Sequence, residues 1–544
     1  MSDPKTPPAP PSVPISQTAW LAACVGRWTV LALLAGHLLL RQTFAHLSIT
    51  SLFQLASERA LPTETSPRPE WIPHLFDRAY LTEMCLVLLL PLAFYVWKNR
   101  AAQATDAAPG QQEAARRLGV PMLLVFAYLA WGAFHALKAM VLHSDPFSAI
   151  PPGFTAHAQP DWYLIFRQSA VSAYGMFFVY TFIFFRDRWR FVTGAAVTAL
   201  AVALACAALD VKGVLGEPNI LGTLFGQETL ALAMVAMVVA IAHFNNLLIR
   251  GAALLVLAFV GWRQSFRFQS GVPISIAGAM VLYALAGLLS LPHGQTRGQF
   301  RTLKRAAACL VLLGAMAIGY TIVRRSSSPE VASKVSSWSP QIYRHLLDVY
   351  AQTQAPADPK DFVPSRRPPY GPVSDPEVYK LEAVYKSTPS VNAADVIWRM
   401  FVWRRKTADW FHGHPLIGAG VGQPWFYEAL YHTSFHYGEE REGLDPHNSF
   451  LNLLYRYGLV GLALLLAAII AVVRLSLRAL RTRIQGDVLL EGLLVYFFFT
   501  AVFAFFNNAL EGPSYSLPFW ISLGLVYARA WQVVHMSLPG ENAN

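Results

Sequence analysis

A chain of 544 residues with 54% hydrophobic and only 14% charged residues is short of charge, since soluble domains carry roughly 25% charged residues. The deficit sits in apolar runs of about 20 residues, the length that crosses ~30 Å of hydrocarbon, which excludes a soluble fold and points to an all-α polytopic membrane protein. The formal net charge of +11 does not signal nucleic acid, because the basic residues fall mainly in short loops between apolar runs, where the positive-inside rule puts them.

In chain order, residues 1–19 are proline-rich and nearly uncharged. They read as a disordered cytoplasmic tail before a retained first helix, with no cleavable signal peptide. The apolar runs then predict twelve spans, at about 20–44, 79–97, 120–142, 163–185, 192–209, 228–244, 248–262, 271–292, 306–323, 448–473, 488–508 and 513–534. Those at 228–244 and 248–262 are short and separated only by Phe244-Asn245-Asn246-Leu247, so a broken or re-entrant element also fits them. Residues 20–323 thus hold spans one to nine, 324–447 one large loop, 448–534 the last three spans, and 535–544 a second cytoplasmic tail. Cys24, Cys85, Cys206 and Cys309 all lie in apolar runs, which argues against a disulfide framework or a Cys-rich metal site.

Charge orients the chain. The loops after even-numbered spans hold 16 Lys and Arg and the opposite short loops hold 6, so both termini are expected in the cytoplasm and the large loop in the periplasm of a bacterial inner membrane. Residues 324–447 contain 14 basic and 14 acidic residues, a balance poor for nucleic acid, and are too long for a mere connector. Ser326–Pro389 reads as irregular. Asn392–Trp410 reads as a helix with Asn392 as a possible N-cap.

That second half of the loop carries the chemistry. Arg399 and Trp403 stand i, i+4 on one helix face, and Arg404, Arg405 and Lys406 follow. Taken alone, they fit a membrane-surface anchor equally well. Next comes His414-Pro415-Leu416-Ile417-Gly418-Ala419-Gly420-Val421-Gly422, whose alternating glycines allow tight turns and close backbone approach but lack the βαβ setting of a dinucleotide site. Finally His447-Asn448 stands at the mouth of the tenth span, ahead of Tyr457-Gly458-Leu459-Val460-Gly461. Asp445, Asn448 or Ser449 could cap that helix. Singly, each element reads as an anchor, a turn or an incidental interface residue.

Their order and spacing, over about Asp395–Leu465, resemble the O-antigen ligase and O-antigen polymerase superfamily of membrane glycosyltransferases. The resemblance implies a C-class, largely helical glycosyltransferase fold, an undecaprenyl-diphosphate-linked glycan donor, and no cofactor or catalytic metal. By position, His447 matches the family's essential histidine and Arg399 its loop arginine. The family's second arginine stands near the start of a middle span. Here GWRQSFRFQSGVPISI puts Gln269-Ser270-Gly271 where that pattern would fall, leaving Arg267 and Arg263 as candidates. Where many members have another histidine two residues before the essential one, this chain has Asp445.

The residue types suit that chemistry. A sugar on diphosphate has a good leaving group; it needs charge stabilisation and an activated acceptor hydroxyl. Guanidinium groups supply the first through bidentate phosphate contacts, and an imidazole supplies the second as general base. His447 and Arg399 are the expected catalytic pair, with Arg267, Arg263, Arg404, Arg405, Trp403, His414 and Asn448 toward substrate. The leading expectation is a ligase moving a finished glycan to lipid A-core. A polymerase of O-antigen or exopolysaccharide repeats and a protein O-glycosyltransferase share the donor reaction. A lipid-linked sugar transporter would instead use the polar residues inside spans, such as His37, His135, Lys138, Arg167 and His243; it has no need of His447 with Arg399.

Overall fold

The computed structural model describes residues 17–39, 81–103, 119–141, 161–195, 246–255, 271–289, 340–353, 391–421, 447–482 and 487–535, apart from a few positions in 187–190, 249–250 and 508, with isolated residues in 307–314 and 380–387. Among them are eleven helices: α1 (Gln17–Leu39), α2 (Leu81–Gln103), α3 (Gly119–Val141), α4 (Asp161–Ala173), α5 (Met176–Phe185), α6 (Gly271–Leu289), α7 (Pro340–Gln352), α8 (Val391–His412), α9 (Ser449–Thr482), α10 (Val488–Phe506) and α11 (Pro513–His535). No strand occurs among the described residues. Six helices are long and apolar enough to cross a membrane, as a polytopic membrane protein requires. The expected spans at 192–209, 228–244 and 306–323 lie mostly or wholly outside the described residues, as do Arg263 and Arg267, while that at 248–262 is described, as helix, at 248 and 251–255.

Side-chain contacts fix how the helices alternate. Thr18 at the start of α1 hydrogen-bonds Tyr95 late in α2, and His37 late in α1 meets Thr82 at the start of α2 at 2.8 Å. Gly119 at the start of α3 lies against Tyr527 and Trp531 near the end of α11. Arg481 near the end of α9 donates to the Leu289 carbonyl at the end of α6. Asp487, before α10, pairs with Arg529 late in α11 at 2.7 Å. Apart from His37–Thr82, which lies at the other end of α1, these pairs mark one end of the bundle, here the lower end; the start of α9 and the end of α10 lie at the upper end. α5 finishes low and α6 begins high, while α6 finishes low and α8 sits high.

α11 is not among those six helices, and its packing shows why it need not be. It is enclosed by α1, α5, α9 and α10, and Leu517, Phe519, Trp520, Leu523, Val526, Tyr527 and Ala530 are buried. A helix shielded from lipid need not be apolar all round. Between membrane helices there is no solvent-exclusion drive, so close packing and interhelical hydrogen bonds hold the bundle. Gly524 admits Thr181 and Phe178, Gly132 admits Ser172, and Tyr527 stacks on Phe182 at 4.8 Å between centroids. Two carboxylates inside the bundle are satisfied by phenols: Tyr174 donates to Glu83 at 2.6 Å and Tyr283 to Glu491 at 2.9 Å.

Two local expectations need correction. Ser326–Pro389 is not irregular throughout, because Pro340–Gln352 forms α7. Its Leu346 is fully buried beside exposed polar neighbours, an amphipathic pattern too short to stand out in a proline-rich stretch. The helix read over Asn392–Trp410 runs from Val391 to His412, so Asn392 lies in its first turn rather than capping it.

The lower end carries a stability prediction. Asp487 caps α10 by accepting from Leu490 N at 3.0 Å and also holds Arg529, whose guanidinium lies 5.2 Å from the Trp189 ring centre. Asp487→Ala removes the cap and strands a part-buried cation, and should lower stability by about 3 kcal/mol or more. Thermal unfolding in detergent should show a clear fall for Asp487→Ala and a smaller one for the paired Asp487→Ala/Arg529→Met variant. Wild-type melting of the single variant would contradict this.

Candidate active site

The upper end is organised by a break in α9. Gly458 has φ 67 and ψ −172, far from helical, so the ladder bonds from Leu459 N to Tyr455 O and from Val460 N to Arg456 O do not form. The turn of residues 414–420 enters the gap. Leu459 N donates to Pro415 O at 2.9 Å and Val460 N to Leu416 O at 3.1 Å, while Ala419 N and Gly420 N donate to Tyr455 O and Arg456 O, each at 2.8 Å. Four bonds replace two, and no helical group at the break is left wanting, as a buried backbone requires. The turn is itself tied by Gly418 N to His414 O at 2.7 Å and by Trp410 Nε1 to Pro415 O at 2.8 Å. The His-Pro-Leu-x-Gly-x-Gly and Tyr-Gly-Leu-Val-Gly stretches are thus two halves of one joint.

The glycines of this joint are steric necessities. Gly418 has φ +77 and Gly458 φ +67, and a Cβ on either would strike the backbone of the other's segment. α3 braces the joint: Trp131 Nε1 donates to Tyr457 O at 2.9 Å. Tyr457 in turn donates its hydroxyl to Gln168 O at 2.9 Å. His135 is buried with Trp131, Phe134 and Tyr457 rings around it.

Above the break, Asn448, Ser449, Asn452 and Arg456 form a buried polar stripe on α9. Asn448 Oδ1 accepts from Leu451 N at 3.0 Å, so Asn448 is the N-cap among the three residues that could have served. Ser449 Oγ donates to Glu511 at 2.6 Å and accepts from Leu510 N, and Asn452 Nδ2 donates to Glu511 Oε1 at 3.1 Å. Lys406 is fully buried, 3.5 Å from Asn452 Oδ1 and 5.1 Å from the Tyr455 ring centre. Glu511 is the carboxylate that knits the mouth of α9 to the turn before α11.

The sequence-expected residues gather here in part. Arg399 Nη1 donates to Phe506 O at 3.1 Å, tying α8 to the end of α10. Burial holds the His447 imidazole below its ordinary range, and the Arg399 charge adds to this, pushing its pKa down to about 3. The two side chains therefore act on each other, and His447 is neutral in the resting site. His447 has φ 48, the only non-glycine positive φ among the described residues, a left-handed kink that histidine tolerates better than most and that turns the chain sharply into Asn448. Trp403 packs edge-on to Phe505 at 6.0 Å. Arg404 is exposed. The side chain of Arg405 is not described. His414 is exposed and contributes its backbone carbonyl to the turn. Among the described residues, no group of three His, Cys, Asp or Glu could hold a metal ion.

Sequence reasoning passed over Glu511, Asn452, Lys406 and Arg456 as members of one cluster. A signal existed: an Arg, an Asn and a Glu at or inside apolar runs are each functional candidates on that ground alone. What was missing was the break that brings them together.

Gly418→Ala and Gly458→Ala should each cost about 1–3 kcal/mol from backbone strain alone and abolish activity by displacing the turn. Gly492→Ala, where nothing lies within 4 Å, should be neutral or slightly stabilising as a helix substitution. Wild-type melting and function in Gly458→Ala would sink the joint.

Residues 228–466 match the family model described as O-antigen ligase. The match takes in Arg263, Arg267, Arg399, the 414–420 turn, His447 and the Gly458 break. No curated protein matches the chain. The helical bundle of the described residues, with six helices long and apolar enough to cross a membrane, suits a membrane protein. Over residues 228–466, then, the chain is similar to the O-antigen ligase family.

Proposed function

We propose that the protein transfers a glycan from undecaprenyl diphosphate to an acceptor hydroxyl, lipid A-core by preference, at the periplasmic face of the bacterial inner membrane. The observation that carries this reading is the pairing of His447 with Arg399 at the upper end, where His447 is kept neutral by burial and by the neighbouring cation. An uncharged imidazole can take a proton; an imidazolium cannot.

The step needs few parts. The acceptor oxygen attacks the anomeric carbon, the bond from that carbon to the diphosphate oxygen breaks, and the hydroxyl proton passes to His447. Lipid diphosphate leaves and the anomeric centre inverts. Arg399, with Arg267 or Arg263, offers fixed charge to the diphosphate as negative charge builds on it. The arriving diphosphate also opposes the Arg399 charge that depresses His447, so donor binding raises the imidazole toward the range in which it works as a base. Metal is not needed for charge stabilisation where guanidinium groups supply it. A repeat-unit polymerase uses the same donor step with a different acceptor.

His447→Ala should fold and insert normally and lose about 10²–10⁴-fold in transfer rate, with donor binding largely retained. Arg399→Ala should weaken donor binding, and Arg399→Lys should also impair it, since a point charge does not replace a bidentate fork. Turnover of the purified wild type should survive excess EDTA. Near-wild-type transfer by His447→Ala would overturn the mechanism, and Mg²⁺-rescued loss in EDTA would overturn metal independence.

The membrane orientation is tested by a cysteine at Ser365, within the large loop. A membrane-impermeant thiol reagent should label it in cells with a permeabilised outer membrane but intact inner membrane. Protection there, with labelling only after inner-membrane lysis, would reverse the orientation.

A further inference from the structure

His447 stands at φ 48, in a sparsely populated region that a non-glycine residue keeps only where its surroundings over-determine it. What fixes it lies just downstream. Asn448 O accepts from Asn452 N and Asn448 Oδ1 from Leu451 N, each at 3.0 Å, so α9 begins at once. One residue on, Ser449 N donates to Asn507 O at 3.2 Å, and Ser449 Oγ accepts from Leu510 N at 2.9 Å. The Ser449 hydroxyl has one proton and two acceptors in reach, Glu511 Oε2 at 2.6 Å and Asn507 O at 3.1 Å. The shorter contact, to the carboxylate, is the stronger bond. The other oxygen of that carboxylate accepts from Asn452 Nδ2 at 3.1 Å. Glu511 thus grips α9 at two points one turn apart, and both Ser449 and Asn452 are buried, so water does not compete for these bonds.

Arg399 is held by the same segment. Its Nη1 donates to Phe506 O at 3.1 Å, and the next carbonyl in the chain, Asn507 O, takes Ser449 N. Two consecutive carbonyls therefore fix the arginine on one side and the chain two residues beyond the histidine on the other. The two attachments differ in what supports them. Phe506 ends α10, so the carbonyl under Arg399 is set by a helix. Asn507 is already extended, at φ −145 and ψ 164, and the mouth of α9 depends on the Ser449–Glu511 clasp beside it. Lys406 reinforces that clasp: it lies 3.5 Å from Asn452 Oδ1 while Asn452 Nδ2 faces Glu511, so the amide dipole is aligned between a cation and a carboxylate.

Resting on the function proposed above, we infer that Ser449 and Glu511 are positioning residues for the transfer: their clasp holds the mouth of α9 so that His447 stands at its working distance from a diphosphate on Arg399. Neither residue touches substrate; both act through His447. A base displaced by about 1 Å loses on the order of 10²-fold in rate, and the left-handed φ of His447 gives the chain a ready way to relax once the clasp opens.

Full-length protein in nanodiscs, supplied with undecaprenyl-diphosphate-linked glycan and lipid A-core, tests this with Ser449→Ala and Glu511→Gln. Ser449→Ala removes the clasp hydroxyl and leaves the Asn452 bond, so it decides alone if Glu511→Gln fails to insert. Each variant should lower kcat by about 10–10²-fold with the donor KM near wild type, because Arg399 keeps its carbonyl. In a His447→Ala background neither should cost more, since groups that act through one residue are non-additive. A second readout needs no turnover. In histidine-labelled protein, the ring signal that His447→Ala removes should shift or broaden in both variants. Wild-type kcat in the variants, a further loss in the His447→Ala background, or an unchanged His447 signal would each overturn the positioning role. Normal transfer by His447→Ala would instead overturn the proposed function, and the ring signal would then judge the clasp by itself.

Discussion

Everything at the upper end hangs on a helix that stops and restarts. A spanning helix cannot leave two carbonyls and two N–H groups open in hydrocarbon, so the break at Gly458 demands a partner with both donors and acceptors in register. The 414–420 turn is that partner. Because its four bonds reach α9 backbone on both sides of the break, the turn is held as firmly as a helical segment. It hangs from α8 through Trp410, so the same joint fixes α8 and with it Arg399, Trp403 and Lys406. A strained backbone point thereby ties the helix that carries Arg399 to the span that follows His447.

A second constraint is the burial of charge. Arg399, Lys406 and Arg456 bring cations to one region, and Glu511 brings a carboxylate bonded to Ser449 and Asn452. Cations inside a membrane protein are expensive and mark substrate paths. Here Arg399 is held by a backbone carbonyl and Lys406 by an amide and an aromatic ring. On the proposed function, a diphosphate entering this region would find its counter-charge and change the basicity of His447, linking binding to catalysis through one electrostatic field. The lower end shows the opposite economy: Asp487 and Arg529 simply neutralise each other.

How much of this the sequence revealed depended on whether the signal was local. The long apolar runs set both ends of α3, α10 and α11 and the start of α9 within a few residues, because hydrophobic length is a local property; α9 itself continues past the expected 473 to Thr482 through its basic last turns. Motif order singled out His447, Asn448 and Arg399 as candidates. The joint was not. Its two glycine-containing stretches are about forty residues apart, and only backbone pairing reveals that Gly458 is a break rather than an ordinary small residue in a span. α7 was hidden by the prolines around it. Glu511 was hidden because a single carboxylate in a short turn reads as solvent-facing until its hydrogen bonds to α9 are known.

The central claim is that Arg399 and a bound diphosphate govern the protonation of His447. Titration of His447 by NMR on selectively labelled protein, with and without undecaprenyl diphosphate, tests it directly. The predicted result is a pKa near 3 in the free protein, a clear rise when the lipid diphosphate binds, and a partial rise in unliganded Arg399→Ala. An ordinary histidine titration that ignores both the ligand and the loss of Arg399 would contradict it.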